Sequence, residues 1–246
     1  MIVPPAEQPW FDETLVHLPH SYLAYDTRRP VAPIPTREAA SLPRDGFVFC
    51  CFNSSYKLRP EFFECWLGLL AAVPGSVLWL LAFAPAASAA LRQAAVARGV
   101  DPSRLIFAPS VRLTEHLARQ SLADLCLDTL PYGGHTTAAD ALWSGVPLVV
   151  CRGASFPGRV GASLLTALGL PELITETLDD YAALALALAR DPDRLAALRR
   201  RLRDNRDRQP LYDGARLTRD VERAYAAMME RHDAGLPPAP IRLDPA

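Results

Sequence analysis

This sequence predicts an α/β fold, a parallel sheet with helices on both faces, and three observations carry the prediction. Residues 47–52, 77–83, 105–108, 125–127 and 146–150 are apolar throughout rather than alternating, as strands buried on both faces are. Segments of helical length and period separate them. Gly99, Gly145, Gly169 and Gly235 each follow such a segment, where a residue free to turn left-handed ends a helix. Strand and helix in strict alternation bring successive strands back in parallel.

Residues 1–46 are rich in proline and poor in helical period. There is room for a short strand within 15–25, but Pro30, Pro33, Pro35 and Pro43 make the rest a segment that crosses another surface. The regular part spans 47–235. Its first strand, 47–52, leads into the polar loop Asn53-Ser54-Ser55-Tyr56-Lys57 and a helix opened by Pro60, with Phe63, Trp66, Leu67 and Leu70 on one face. Strand 77–83, helix 87–98, strand 105–108 and helix 114–121 follow. After the central stretch come a helix over 159–168, a brief strand over 172–175, and helices over 178–190, 193–207 and 216–234. Residues 236–246 read as a poorly ordered, proline-rich tail.

The stretch 125–150 organises the chain. Strand 125–127 ends at a turn built on Pro131, Gly133 and Gly134, in which glycine is expected to supply positive φ. Thr136 or Thr137 is expected to cap the next helix, with Asp140 where a capping-box acid sits. A helix N-terminus at the end of a strand suits an anion, phosphate above all, and His135 stands at its mouth. Ligands of parallel sheets bind at the carboxyl ends of the strands. The loops after Phe52, Phe107 and Leu127 therefore share one edge, and they bring Lys57, the pair His116 and Arg119, and His135-Thr136-Thr137 toward each other. Taken singly, these residues are a helix cap, a solvated helix face and a surface charge. Their convergence is what argues for a site.

Composition narrows the function classes. A net charge of −1 gives no electrostatic case for nucleic acid, and no apolar run reaches membrane length. Cys50, Cys51, Cys65, Cys126 and Cys151 are odd in number, lack a CxxC pair and lie in apolar runs, which reads as reduced cysteines in a cytoplasmic protein. No GxGxxG, Walker loop or HExxH is present, so dehydrogenase, NTPase and metal-site chemistry lack their signatures, and neither cofactor nor metal is expected. All but one of the 26 basic residues are arginine. The lone lysine, Lys57, is either chance or a place where a compact ammonium is needed and a planar fork does not fit.

The motifs Phe49-Cys50-Cys51-Phe52-Asn53-Ser54-Ser55-Tyr56-Lys57, Val73-Pro74-Gly75-Ser76-Val77-Leu78-Trp79, and Gly134-His135-Thr136-Thr137 with Asp140, Leu142, Trp143 and Gly145 resemble the catalytic half of the O-GlcNAc transferase and SPINDLY-type family, glycosyltransferase family 41. Phe156-Pro157-Gly158-Arg159-Val160 and Gly169-Leu170-Pro171-Glu172-Leu173-Ile174 resemble it too. The resemblance implies a Rossmann-like fold, the C-terminal nucleotide-binding half of a GT-B glycosyltransferase, and inverting transfer of a sugar from a UDP-sugar donor to Ser or Thr of an acceptor protein. It implies a catalytic role for Lys57 on the donor diphosphate. Ser54, Val111, Leu113, His116, Arg119, His135, Thr136, Thr137 and Asp140 would bind the donor, with His116 and Arg119 flanking uracil and Asp140 near the ribose. Ser54 and Leu113 depart from the glutamine and lysine of animal members. The family's tetratricopeptide repeats and N-terminal half have no counterpart here, and residues 1–46 correspond to the segment that joins the halves. A non-catalytic module that binds a nucleotide sugar or a partner protein is the alternative reading.

Overall fold

The computed structural model describes residues 2–245. Its centre is a six-stranded sheet, parallel throughout: β2 (Val48–Cys51), β3 (Val77–Leu81), β4 (Leu105–Ala108), β5 (Leu125–Leu127), β6 (Leu148–Cys151) and β7 (Ile174–Thr175). A two-residue strand earlier in the chain, β1 (Val16–His17), belongs to a separate pair described below. Helices α1 (Pro60–Ala72), α2 (Pro85–Ala97), α3 (Leu113–Gln120), α4 (Thr136–Trp143), α5 (Phe156–Ala167), α6 (Leu178–Arg190), α7 (Pro192–Arg206) and α8 (Gly214–Asp233) surround it. All four residues of β2 and of β6 are buried, which is why neither alternates in sequence. Predicted and observed elements agree to within a few residues.

Strand order is β4-β3-β2-β5-β6-β7. The chain runs outward from β2 through β3 to β4, then returns across the sheet to place β5 on the other side of β2, with Cys50 opposite Cys126. The connections after β2 and β5 therefore leave neighbouring strands in opposite directions. That divergence opens a crevice at their carboxyl ends.

Core packing reaches to the floor of this crevice. Trp66 of α1 donates its indole N–H to the buried Tyr181 hydroxyl at 3.1 Å, and Tyr181 donates to the carbonyl of Asp128 at 3.1 Å. The C-terminal end of α1 is held by Arg104, whose guanidinium reaches the carbonyls of Leu70, Val73 and Ser76 at 2.6–2.9 Å and the Ser76 hydroxyl at 2.8 Å. Buried carbonyls left without donors are destabilising. Arg104→Met is expected to lower unfolding free energy by about 2–4 kcal/mol, read as a lower urea midpoint at unchanged slope. Arg104→Lys should recover only part of this, because an ammonium cannot serve that fan of acceptors in one plane.

Residues 2–46 lie on the rest of the chain, as their composition requires. Arg37 reaches the Gly46 carbonyl at 2.8 Å and Asp124 at 3.1 Å, and the Ala32 N–H donates to Thr114 O at 3.1 Å. Tyr25 and Leu42 are buried in the core. The expectation of a poorly ordered tail is corrected. Beyond α8, strand β8 (Ile241–Arg242) pairs in parallel with β1, Val16 opposite Ile241. No periodicity could reveal a two-residue strand whose partner lies more than 200 residues away in the chain.

Candidate functional site

Two loops meet at the crevice between β2 and β5. The first leaves β2 through Phe52 and Asn53 and forms a 3₁₀ turn at Ser55–Lys57. The second runs from Asp128 to His135 and opens α4. Asn53, buried, ties them: its Nδ2 donates to Asp128 Oδ1 at 3.1 Å and to the Thr129 hydroxyl at 2.8 Å, and its Oδ1 accepts from the Thr137 hydroxyl. Asp128 Oδ1 also accepts the Thr129 and Gly134 N–H groups at 2.9 and 2.7 Å. Burial raises the Asp128 carboxyl to about 6, against the opposing pull of those hydrogen bonds and of the Lys57 charge. The sequence reading missed both residues. The signal was present: each is the first hydrogen-bonding side chain after a wholly apolar strand, Asp128 directly after β5 and Asn53 after β2 and Phe52.

Three expectations about the second loop are corrected. Neither Gly133 nor Gly134 has positive φ. They are needed for close approach instead. A Cβ on Gly133 would lie 3.0 Å from Asp128 Oδ2 and 3.1 Å from Pro157 O, and one on Gly134 would lie 2.8 Å from Thr137 Oγ1. Thr136 and Thr137 do not cap α4. His135 occupies the cap position, and no side chain caps the helix. Asp140 forms no capping box and is buried, accepting the Tyr25 hydroxyl at 2.7 Å with Arg29 at 3.6 Å. Its carboxylate is thus committed to the crossing segment.

Lys57 reaches across the crevice. Its Nζ donates to Gly133 O at 2.9 Å and sits 4.2 Å above the Tyr132 ring. Burial draws its pKa below the ordinary lysine value, with Asp128 the largest opposing influence. Tyr132 stacks on His135 at 5.4 Å and 17°. His135 is itself held toward the neutral form by burial and then by the Lys57 charge. Lys57, His135 and the N-terminus of α4 therefore share one cleft. The N–H groups of the first turn of α4 have no helical acceptors, so the cleft presents an ammonium, an imidazole and a helix N-terminus together.

The second predicted cluster lies beside the first. His116 packs edge-on against Phe52 at 4.8 Å, and Arg119 stacks near Phe52 and Trp79 while donating to Pro109 O at 2.7 Å. Burial first, then Arg119, lowers the His116 pKa to about 4, so it is neutral at pH 7. A solvated helix face is thereby overturned for this pair: Arg119 is buried and His116 half-buried. Arg119, Val111, Trp79 and Phe107 line a cavity of about 300 Å³. Ser54 and Leu113 are exposed at the openings of their loop and helix.

Residues 21–221 match the model of glycosyl transferase family 41. The chain belongs to this family. Relatives include the "Probable UDP-N-acetylglucosamine--peptide N-acetylglucosaminyltransferase SEC" of Arabidopsis thaliana, 39% identical over 235 residues, 93% of this chain and 24% of that protein. A UDP-N-acetylglucosamine--peptide N-acetylglucosaminyltransferase of Caenorhabditis elegans is 39% identical over 204 residues, 83% of this chain and 18% of that one. This family member thus spans about a quarter or less of these relatives' length. Among solved structures, a mutant O-GlcNAc transferase of Thermobaculum terrenum superposes with TM-score 0.81 at 36% identity, covering 92% of this chain and 43% of that one. The lipopolysaccharide glycosyltransferase WaaG, at TM-score 0.56 and 17% identity, shares the fold alone. The architecture is that of a GT-B glycosyltransferase half.

Proposed function

We propose that this chain is the nucleotide-sugar-binding half of a protein O-glycosyltransferase that takes UDP-N-acetylglucosamine and transfers its sugar, with inversion, to Ser or Thr hydroxyls. The observation that carries the proposal is the uncapped N-terminus of α4 opening into a cleft that also holds Lys57 and His135. Backbone N–H groups, a helix dipole and an ammonium around one space suit a diphosphate. In this reading the acceptor oxygen attacks the anomeric carbon on the face away from the diphosphate. The negative charge that builds on the departing UDP is met by Lys57 and α4, without a metal ion. The base lies against Arg119 in the adjoining cavity, with Val111 at its rim. The names of the Arabidopsis and Caenorhabditis relatives support the choice of donor. The acceptor side belongs to the N-terminal half and repeats of a longer assembly, so transfer needs that half.

Calorimetric titration of the 246-residue chain with UDP and with GDP tests the donor site. UDP is expected to bind at least about tenfold more tightly, a difference near 1.4 kcal/mol, in keeping with the uridine donor that the names of the Arabidopsis and Caenorhabditis relatives give. Equal affinity for the two, or heat from neither, would remove the reading.

A further inference from the structure

One contact on His135 comes from far away in the chain. The Tyr22 hydroxyl lies 3.2 Å from His135 Nδ1, joining residues 113 apart. Tyr22 packs on Phe156 at 5.6 Å, Phe156 meets the imidazole edge-on at 6.1 Å, and Tyr132 stacks on its face at 5.4 Å. The imidazole is thus boxed by three rings. Its other nitrogen, Nε2, is buried and has no hydrogen-bond partner among the described residues. Three residues after Tyr22, the Tyr25 hydroxyl is fastened to Asp140 on the second turn of α4 at 2.7 Å. The crossing segment is therefore tied to the same helix that His135 opens, and this second tie fixes where Tyr22 sits.

On the reading that this cleft holds a diphosphate, we propose that Tyr22 is a positioning residue: its hydroxyl donates to His135 Nδ1, fixes the imidazole in the Nε2–H form, and so aims a hydrogen-bond donor at the anion. A neutral imidazole carries one proton, and the hydrogen bond at one nitrogen decides the role of the other. A phenol O–H is the stronger donor of the two groups and an unprotonated imidazole nitrogen the stronger acceptor, so the proton of the contact stays on Tyr22. With the opposite tautomer, the Nε2 lone pair would face the incoming oxygen and repel it. Burial and the nearby Lys57 both disfavour imidazolium, which would otherwise donate from both nitrogens and make Tyr22 irrelevant.

Tyr22→Phe removes the hydroxyl and keeps the ring. In the ¹⁵N-labelled full chain, imidazole nitrogen shifts should report the Nε2–H form of His135 in the wild type and a mixture of tautomers in Y22F. With UDP as the probe, Y22F should weaken binding about five- to tenfold, the scale of one hydrogen bond. His135→Ala should weaken it at least as much, and the double variant no more than His135→Ala alone, because Tyr22 acts through His135. A purely structural Tyr22 would leave the tautomer unchanged and add its loss to that of His135→Ala. An Nδ1–H wild type, an unchanged tautomer in Y22F or additive losses would each overturn the proposal. If the wild-type chain bound no UDP, the donor-site reading would fail, while the tautomer shifts would still decide whether Tyr22 sets the state of His135.

Discussion

Replacing Lys57 with alanine, in the enzyme reconstituted with its N-terminal half, should lower turnover about 100- to 1,000-fold, the loss typical of one charge-stabilising donor in a water-poor cleft. The ammonium is already placed, with Gly133 O and the Tyr132 ring holding it over the crevice. Gly133 O takes one of its three N–H groups, which leaves donors for an anion. Because charge grows on the diphosphate as the sugar departs, the interaction strengthens toward the transition state, and donor affinity should fall much less than turnover. The N-terminus of α4 offers about 1–2 kcal/mol and cannot replace it. Lys57→Arg should also be slow. A planar fork cannot occupy the point between a carbonyl and a ring face as a compact ammonium does. Stability should change little, since the side chain is only half-buried in a loop. Steady-state kinetics check this, and an arginine variant near wild-type turnover would return Lys57 to the status of a surface charge.

Asp128→Ala should destabilise the fold by about 3–5 kcal/mol, because it strands two backbone donors, Thr129 N–H and Gly134 N–H, and frees Asn53 from the loop it organises. Asp128→Asn should be far milder at neutral pH. Its amide oxygen still accepts all three bonds, and no charge is buried. The comparison carries a pH signature. Burial raises the folded-state pKa from 3.8 to about 6. The folded chain therefore holds this proton more tightly than the unfolded chain does. The resulting stabilisation is fully present below pH ~4 and is lost as pH rises through about 6. Wild type should thus lose about 2–3 kcal/mol relative to Asp128→Asn between pH 4 and pH 7, at 1.36 kcal/mol per pKa unit. Urea unfolding of both proteins across that range measures it, and a pH-independent difference would show that Asp128 is ionised throughout.

The apolar pattern alone dictated the parallel sheet, because strands buried on both faces cannot alternate, and residues 48–51 and 148–151 are buried at every position. It also determined that Lys57 and His135-Thr136-Thr137 would lie on one edge, since in a parallel sheet every loop after a strand leaves from the same side. Strand order was not legible. That β5 sits beside β2 depends on the long return from β4, and only packing chooses the side. The adjacency is what brings Asn53 against Asp128 and Lys57 against Gly133. Local rules also misassigned two polar groups. Thr137 and Asp140 have the composition of a helix cap, yet Asn53 takes the hydroxyl of one and Tyr25 the carboxylate of the other. Partners 84 and 115 residues away in sequence outweigh a cap worth about 1 kcal/mol, because a buried polar group left unpaired is worse. The same holds for His116 and Arg119. Their spacing of three puts them on one face of α3, but whether that face meets water or Phe52 is decided by where the sheet carries the helix.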